Sequence, residues 1–223
     1  AVALVDVDGR ERSMHRGKGI WILLAILIGV IGSAASAQEG DVQTEPLTFG
    51  QPVLITSIGQ SAGAAQARVV AIKAGVDATY AQRAAIEELE GFATLIVVLG
   101  ASSKGLGAAG VNIDGEIAWA TELLGTASEL GIRVIAMHIE GSARRGPSSD
   151  QLIETFAPQA DCLIVKGSTP DVEWTADESA DGNNDGLFTT LAADHEIPIV
   201  YVETTLGAVD VLVELFGIAP AED

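Results

Sequence analysis

Cysteine is nearly missing from this chain. Cys162 stands alone among 223 residues, so no internal disulfide can form and the fold must hold by packing. Its setting, Asp161-Cys162-Leu163-Ile164-Val165, marks a buried strand residue rather than a nucleophile. Aromatics are only 4% of the residues, which leaves the core to Val, Ile, Leu and Ala. Basic residues are equally few, 12 against 31 acidic ones, for a formal net charge of −19. Such a surface repels polyanions at first encounter, which excludes nucleic acid as a partner and argues against anionic membrane surfaces. It suits either a saline setting, where ions screen the self-repulsion, or an ordinary acidic exported protein. No internal repeat and no second domain is evident, and 48% hydrophobic residues suffice for one core.

The amino-terminal stretch carries a different pattern. Met14-His15-Arg16-Gly17-Lys18 is basic, Gly19 to Gly32 is apolar, and Ser33-Ala34-Ala35-Ser36-Ala37 supplies the small residues of an A-x-A cleavage site. Residues 14–37 are therefore read as a signal peptide cut after Ala37, leaving Gln38 first and the protein periplasmic or secreted. The apolar run is short for a spanning helix, and an uncleaved membrane anchor is the competing reading. No cysteine follows it, so a lipoprotein anchor is not expected. Residues 1–13 fit no targeting signal and read as an over-extended start. Residues 38–51 read as a polar linker, 52–217 as one α/β domain, and 218–223 as a tail.

Within the domain, apolar runs alternate with helical patterns. Strands are predicted at 53–58, weakly at 77–80, and at 95–100, 133–139, 162–165 and 199–202. Helices are predicted at 62–74, 81–88, 114–130, 148–156, 187–194 and 206–216. The first should turn Ala65, Val69 and Ile72 inward. The helix at 114–130 should bury Ile117, Ala120, Leu124 and Ala127 and expose Glu116, Glu122 and Glu129. Continuous apolar strands between helices predict a parallel sheet covered on both faces. The fold class is α/β, a single three-layer doubly wound domain with a mostly parallel sheet of five or six strands, flavodoxin-like or Rossmann-like.

Ligands in such sheets bind outside the carboxyl ends of the strands, where strand order reverses. The loops expected there collect Gln60 and Ser61; Ser102, Ser103, Lys104, Gly105 and Gly107; His138, Glu140, Arg144 and Arg145; then Asp181, Asn183 and Asp185. Lys104, Arg144 and Arg145 are three of the eight lysines and arginines that follow residue 37. Their shared edge points to a small anionic solute, a carboxylate or a phosphate, held by loop amides, serine hydroxyls and these cations. The bland alternative is that Arg144 and Arg145 pair with neighbouring acids.

Three motifs offer other chemistry. Gly105-Leu106-Gly107-Ala108-Ala109-Gly110 has the dinucleotide spacing G-x-G-x-x-G, but it begins five residues after Gly100 and so lacks the tight strand-to-helix turn of that fingerprint. Gly59-Gln60-Ser61-Ala62-Gly63 matches the G-x-S-x-G nucleophile elbow, with His138 the better placed of two histidines to act as base for Ser61. Ser61 capping the next helix is the competing reading. Asp181-Gly182-Asn183-Asn184-Asp185-Gly186 resembles the first half of a calcium loop. Its twelfth position is Ala192, which excludes an EF-hand and leaves a looser calcium site at Asp181, Asn183 and Asp185 against an Asn/Gly-rich turn.

The run Ser102-Ser103-Lys104-Gly105-Leu106-Gly107-Ala108-Ala109-Gly110 resembles an exported bacterial α/β family catalogued as a domain of unknown function. Ile58-Gly59-Gln60-Ser61, His138-Ile139-Glu140-Gly141-Ser142-Ala143-Arg144-Arg145-Gly146 and Asn184-Asp185-Gly186-Leu187-Phe188 extend the resemblance, which covers roughly residues 52–216. It implies export and a single α/β domain, and supplies no reaction. Its pattern carries Gly-Gln-Ser without the second elbow glycine, which counts against a hydrolase. The expected function is binding of a small anionic solute for a membrane transporter or sensor. The alternatives are a serine hydrolase using Ser61 and His138, or a cell-surface or structural module without a small ligand. No cofactor is expected other than calcium at the loop named above.

Overall fold

A computed structural model describes residues 2–5, 11–12, 47–169 and 180–219; the predicted signal peptide and residues 170–179 of the acidic loop lie outside them. Six strands run parallel in the order β6-β5-β4-β3-β1-β2. They are β1 (Val53–Ile58), β2 (Ala78–Tyr80), β3 (Thr94–Leu99), β4 (Arg133–His138), β5 (Cys162–Lys166) and β6 (Ile199–Val202). The helices between and after them are α1 (Gly63–Ala74), α2 (Ser103–Ala109), α3 (Ile113–Glu129), α4 (Pro147–Phe156), α5 (Leu187–Asp194) and α6 (Ala208–Leu215). This is the doubly wound α/β arrangement, with the flavodoxin-like strand order. Outside β6 the sheet continues antiparallel through Val2–Val5 and then Glu11–Arg12, from the stretch that precedes Met14.

β1 and β3 show why the order is stable. All six residues of each are buried, and they pair from Val53 opposite Thr94 to Ile58 opposite Leu99. Strands buried on both faces have no polar side to offer water, so helices must cover both. Leu95, Val97 and Leu99 meet Trp119, Leu123 and Leu124 of α3, Leu152 and Phe156 of α4, and Phe188 of α5. The other face carries α1 and α6, packed on each other. Each fully buried Leu or Phe of this core contributes about 1.5–3 kcal/mol. Ordered packing begins before Pro52, inside the stretch read as a linker. Phe49 is buried, donates its N–H to Leu215 O at 2.8 Å, and has Arg133 over its ring at 4.5 Å.

Five local expectations are corrected. The run read as a glycine-rich loop folds from Ser103 into α2, because Ser102 Oγ accepts the N–H of Gly105 and caps the turn. The helix expected at 81–88 is a 3-10 turn at Ile86–Leu89. The helix expected at 148–156 starts one residue earlier, at Pro147 after Gly146, and Ser149 within it accepts the N–H of Ala101 on Oγ at 2.9 Å. α1 buries Ala64, Ala67, Val70 and Ala71 and leaves Val69 and Ile72 exposed, because only a face of small residues lets the helix lie close to the sheet. The last helix starts two residues later than expected, at Ala208, so Leu206 falls in the turn before it and is exposed.

Gly105 of α2 is pressed against the loop after β1, where a Cβ would run into the carbonyl oxygen of Gln60, whereas Gly107 faces open space. Gly105→Ala should therefore destabilise the fold by about 1–3 kcal/mol. Gly107→Ala should be neutral or stabilising by up to about 1 kcal/mol. Urea unfolding of the two variants checks the contrast.

Candidate functional site

Strand order reverses between β1 and β3, and the crevice expected there is closed by the chain itself. Gly100 N–H donates to Ile58 O at 3.0 Å and Ser102 N–H to Gly59 O at 2.8 Å, so the β1–β3 ladder runs on past both strand ends. An isolated bridge between Gln60 and Ala101 continues it. Gln60 takes a left-handed backbone (φ 58°), a strained conformation for a residue with a side chain. The turn is held from α3. Glu116 Oε1 accepts the N–H of Gly59 at 2.9 Å and the Gln60 side-chain amide at 2.8 Å. Arg83 approaches Glu116 Oε2 at 3.4 Å and lies 4.3 Å over the ring of Trp119.

Glu116, expected on the outer face of its helix, is fully buried. The signal was present: Glu116 lies four residues before Ala120 and eight before Leu124, on the apolar stripe itself. Arg83 and Trp119 carried no such signal.

The cationic residues divide. Arg144 stands beside the loop after β3, its Nη1 3.5 Å from Ala101 O and its Nε 3.2 Å from Glu140 Oε1. Ser103 and Lys104 are exposed on the first turn of α2, beyond Ser102. Arg145 turns the other way. It bonds Asp150 at 2.6 Å, both carboxylate oxygens of Asp185 at 3.1 and 2.8 Å, and Gly182 O at 2.6 Å, with Phe188 beneath it. Burial works against the Arg145 charge, yet the bonds to Asp185 and Asp150 outweigh it and raise its pKa. Asp185 is held below the usual carboxylate range by the same bonds to Arg145. Arg145 is thus tied into a clamp between the β4 and β5 loops, as the neighbour-pairing alternative expects.

Ser61 and His138 are not hydrogen-bonded to each other. Ser61 is 1% exposed, and its Oγ accepts the N–H of Gly63 at 3.2 Å, while the cap position of α1 is Ala62, which makes no side-chain cap bond. His138 is 1% exposed, with Nδ1 2.9 Å from Leu99 O, Nε2 3.2 Å from Gly141 O and the Phe188 ring at 5.1 Å. Burial lowers its pKa, although both carbonyl contacts favour the charged ring.

The calcium-like loop spends its oxygens internally. Asp181 Oδ1 accepts from Ser168 N–H at 2.9 Å and Asn183 N–H at 2.7 Å, and Ser168 Oγ donates to Oδ2. Asn183 Oδ1 accepts from Phe188 N–H at 3.0 Å, and Asp185 belongs to Arg145. The three side chains hold a turn and do not converge. A cavity of about 290 Å³ lies beside them, lined by Ser168, Thr169, Asn183 and Thr190 among others.

Residues 50–216 match the family described as Domain of unknown function (DUF6305). The chain belongs to that family. Its conspicuous runs fall on this one edge of the sheet: the Gly-Gln-Ser turn, α2 with its cap, and the Glu140–Gly146 loop. No curated protein and no solved structure matches the chain.

The lowered His138 pKa sets a pH dependence. The unfolded chain binds the proton below about 6.5 while the folded chain resists it. Stability from this residue is therefore complete above that pH and falls as the medium is acidified through it. Melting temperatures from pH 8 to 5 should drop on the acid side, and His138→Asn should flatten that limb of the curve.

Proposed function

We propose that this chain binds a small anionic solute at the carboxyl ends of β1 and β3, outside the cytoplasm, and serves a membrane transporter or sensor. One observation carries the reading. Arg83, Lys104, Arg144, Arg145 and Lys166, five of the eight lysines and arginines after residue 37, belong to the carboxyl-end edge of a sheet in a chain of net charge −19. Arg145 is a positioning residue, since Asp150 and Asp185 already neutralise it. The contacts fall to Ser103 and Lys104, which are exposed, and to Arg144, whose side chain is 29% exposed. The hydrolase alternative gains no support from a buried Ser61 whose Oγ is bonded to the Gly63 N–H.

A thermal-shift panel of acetate, succinate, phosphate and calcium tests the reading. An anion in hundredfold excess over its Kd adds about 2.7 kcal/mol of stability, roughly 5–10 °C for a chain of this size. Lys104→Ala should weaken that response about tenfold, one ion pair's worth of affinity. No shift with any anion sinks the solute-binding reading and favours an interaction module; a calcium shift alone reopens the loop at Asp181. The export half is tested by sequencing the amino terminus of the protein recovered outside the cytoplasm. Gln38 is the expected first residue, and a retained Met14 overturns it.

A further inference from the structure

The amino end of α1 faces a carboxylate of the chain's own. Gly63 opens this twelve-residue helix, and a Cβ there would lie 2.7 Å from Glu140 Oε2 and 2.8 Å from Val98 Cγ1. The Glu140 side chain is 8% exposed. Its Oε1 accepts from Arg144 Nε, while Oε2 is buried with no hydrogen-bond partner among the described residues. A helix start is positive and presents amide hydrogens without intrahelical acceptors, so it draws negative charge. In a sheet of this strand order that same helix start is where a ligand's anionic group belongs.

We infer that the amino end of α1 is a carboxylate-binding site whose resident occupant is Glu140, and that the solute is a small carboxylate that displaces it. The inference rests on reading this edge as the anion-binding one, and names the chemical class of the anion. The occupant itself is the argument. The space between Gly63, Val98 and Arg144 is filled by a planar carboxylate, one oxygen of which is answered by a guanidinium while the other lies unbonded beside the first residue of the helix. A solute carboxylate can take over Arg144 and the helix end in the same way. A tetrahedral phosphate is bulkier than the planar carboxylate that fills this place, so it is expected to bind more weakly. The tethered Glu140 competes at high effective concentration, so it lowers the affinity for free carboxylates without altering which anions fit.

Glu140→Ala in the full chain removes the occupant and leaves room for acetate or formate. Its melting temperature should rise with either anion, and calorimetry should show acetate binding at least tenfold tighter than to the wild type, with phosphate weaker. Glu140→Gln keeps the space filled and should gain nothing from acetate. If Glu140→Ala folds and ignores both anions, or if Glu140→Gln responds equally, the inference is overturned. If Glu140→Ala does not fold in chloride, recovery of folded protein in acetate supports the inference, and equal failure in both salts overturns it. The two readings fail separately. A wild type deaf to every anion beside an acetate-responsive Glu140→Ala sinks the solute-binding role, and with it the displacement of Glu140 by a solute, but leaves the carboxylate site standing. A wild type that answers through Lys104 beside an unresponsive Glu140→Ala sinks only the carboxylate site.

Discussion

A carboxylate with no exposure to water has to be answered by donors, and the ligand edge of this sheet is arranged around the answer to Glu116. Two of its donors, the Gly59 N–H and the Gln60 amide, come from the turn after β1, and the third is Arg83 from the loop after β2. These bonds hold a turn in which Gln60 is left-handed and its carbonyl lies against Gly105. α2 then has one position, and Ala101 is drawn into the bridge that seals β1 to β3. Removing one partner of a buried charge costs about 3–5 kcal/mol, so the whole edge stands or falls with this contact.

The arginines extend the same economy of charge. Arg83 answers Glu116, Arg144 answers Glu140, and Arg145 answers Asp150 and Asp185. Exposed ion pairs contribute little, but the carboxylates of Glu116 and Glu140 are buried, and there a guanidinium decides whether the loop closes at all. In a chain so rich in acid, a few cations are concentrated where acids are hardest to tolerate. The positive field that remains at the rim comes from Lys104 and the partly exposed Arg144.

Hydrophobic runs made the sheet legible from the residues alone: β1 and β6 were read to the residue, and β3 and β4 to within one, since a strand buried on both faces has no other composition. The edge that gathers Gln60, Ser102, Lys104, Glu140 and Arg144 followed from the rule that loops after parallel strands share one side. What could not be read was which neighbour each side chain would choose. Val69 and Ile72 are more apolar than Ala67 and Ala71, yet close packing selects size over hydropathy. Glu116 carries a charge, which argues for the outer face, yet its spacing to Ala120 and Leu124 puts it on the stripe, and the Gly59 and Gln60 donors make burial possible. Two adjacent arginines, Arg144 and Arg145, looked equivalent in the chain, while the 3-10 turn at Gly141–Arg144 sends them to opposite partners.

Cys162 sits at the start of β5, fully buried, with β4 beside it and a thiol that burial pushes up to about 12. A thiolate cannot form there while β5 remains in the sheet. The Cys162 thiol of the folded chain is thus closed to oxidants and to other thiols, and two folded copies cannot join through it. The same residue is a natural stopwatch: a thiol reagent must wait for the centre of the sheet to part, so its rate counts openings of the core and ignores the fraying of loops.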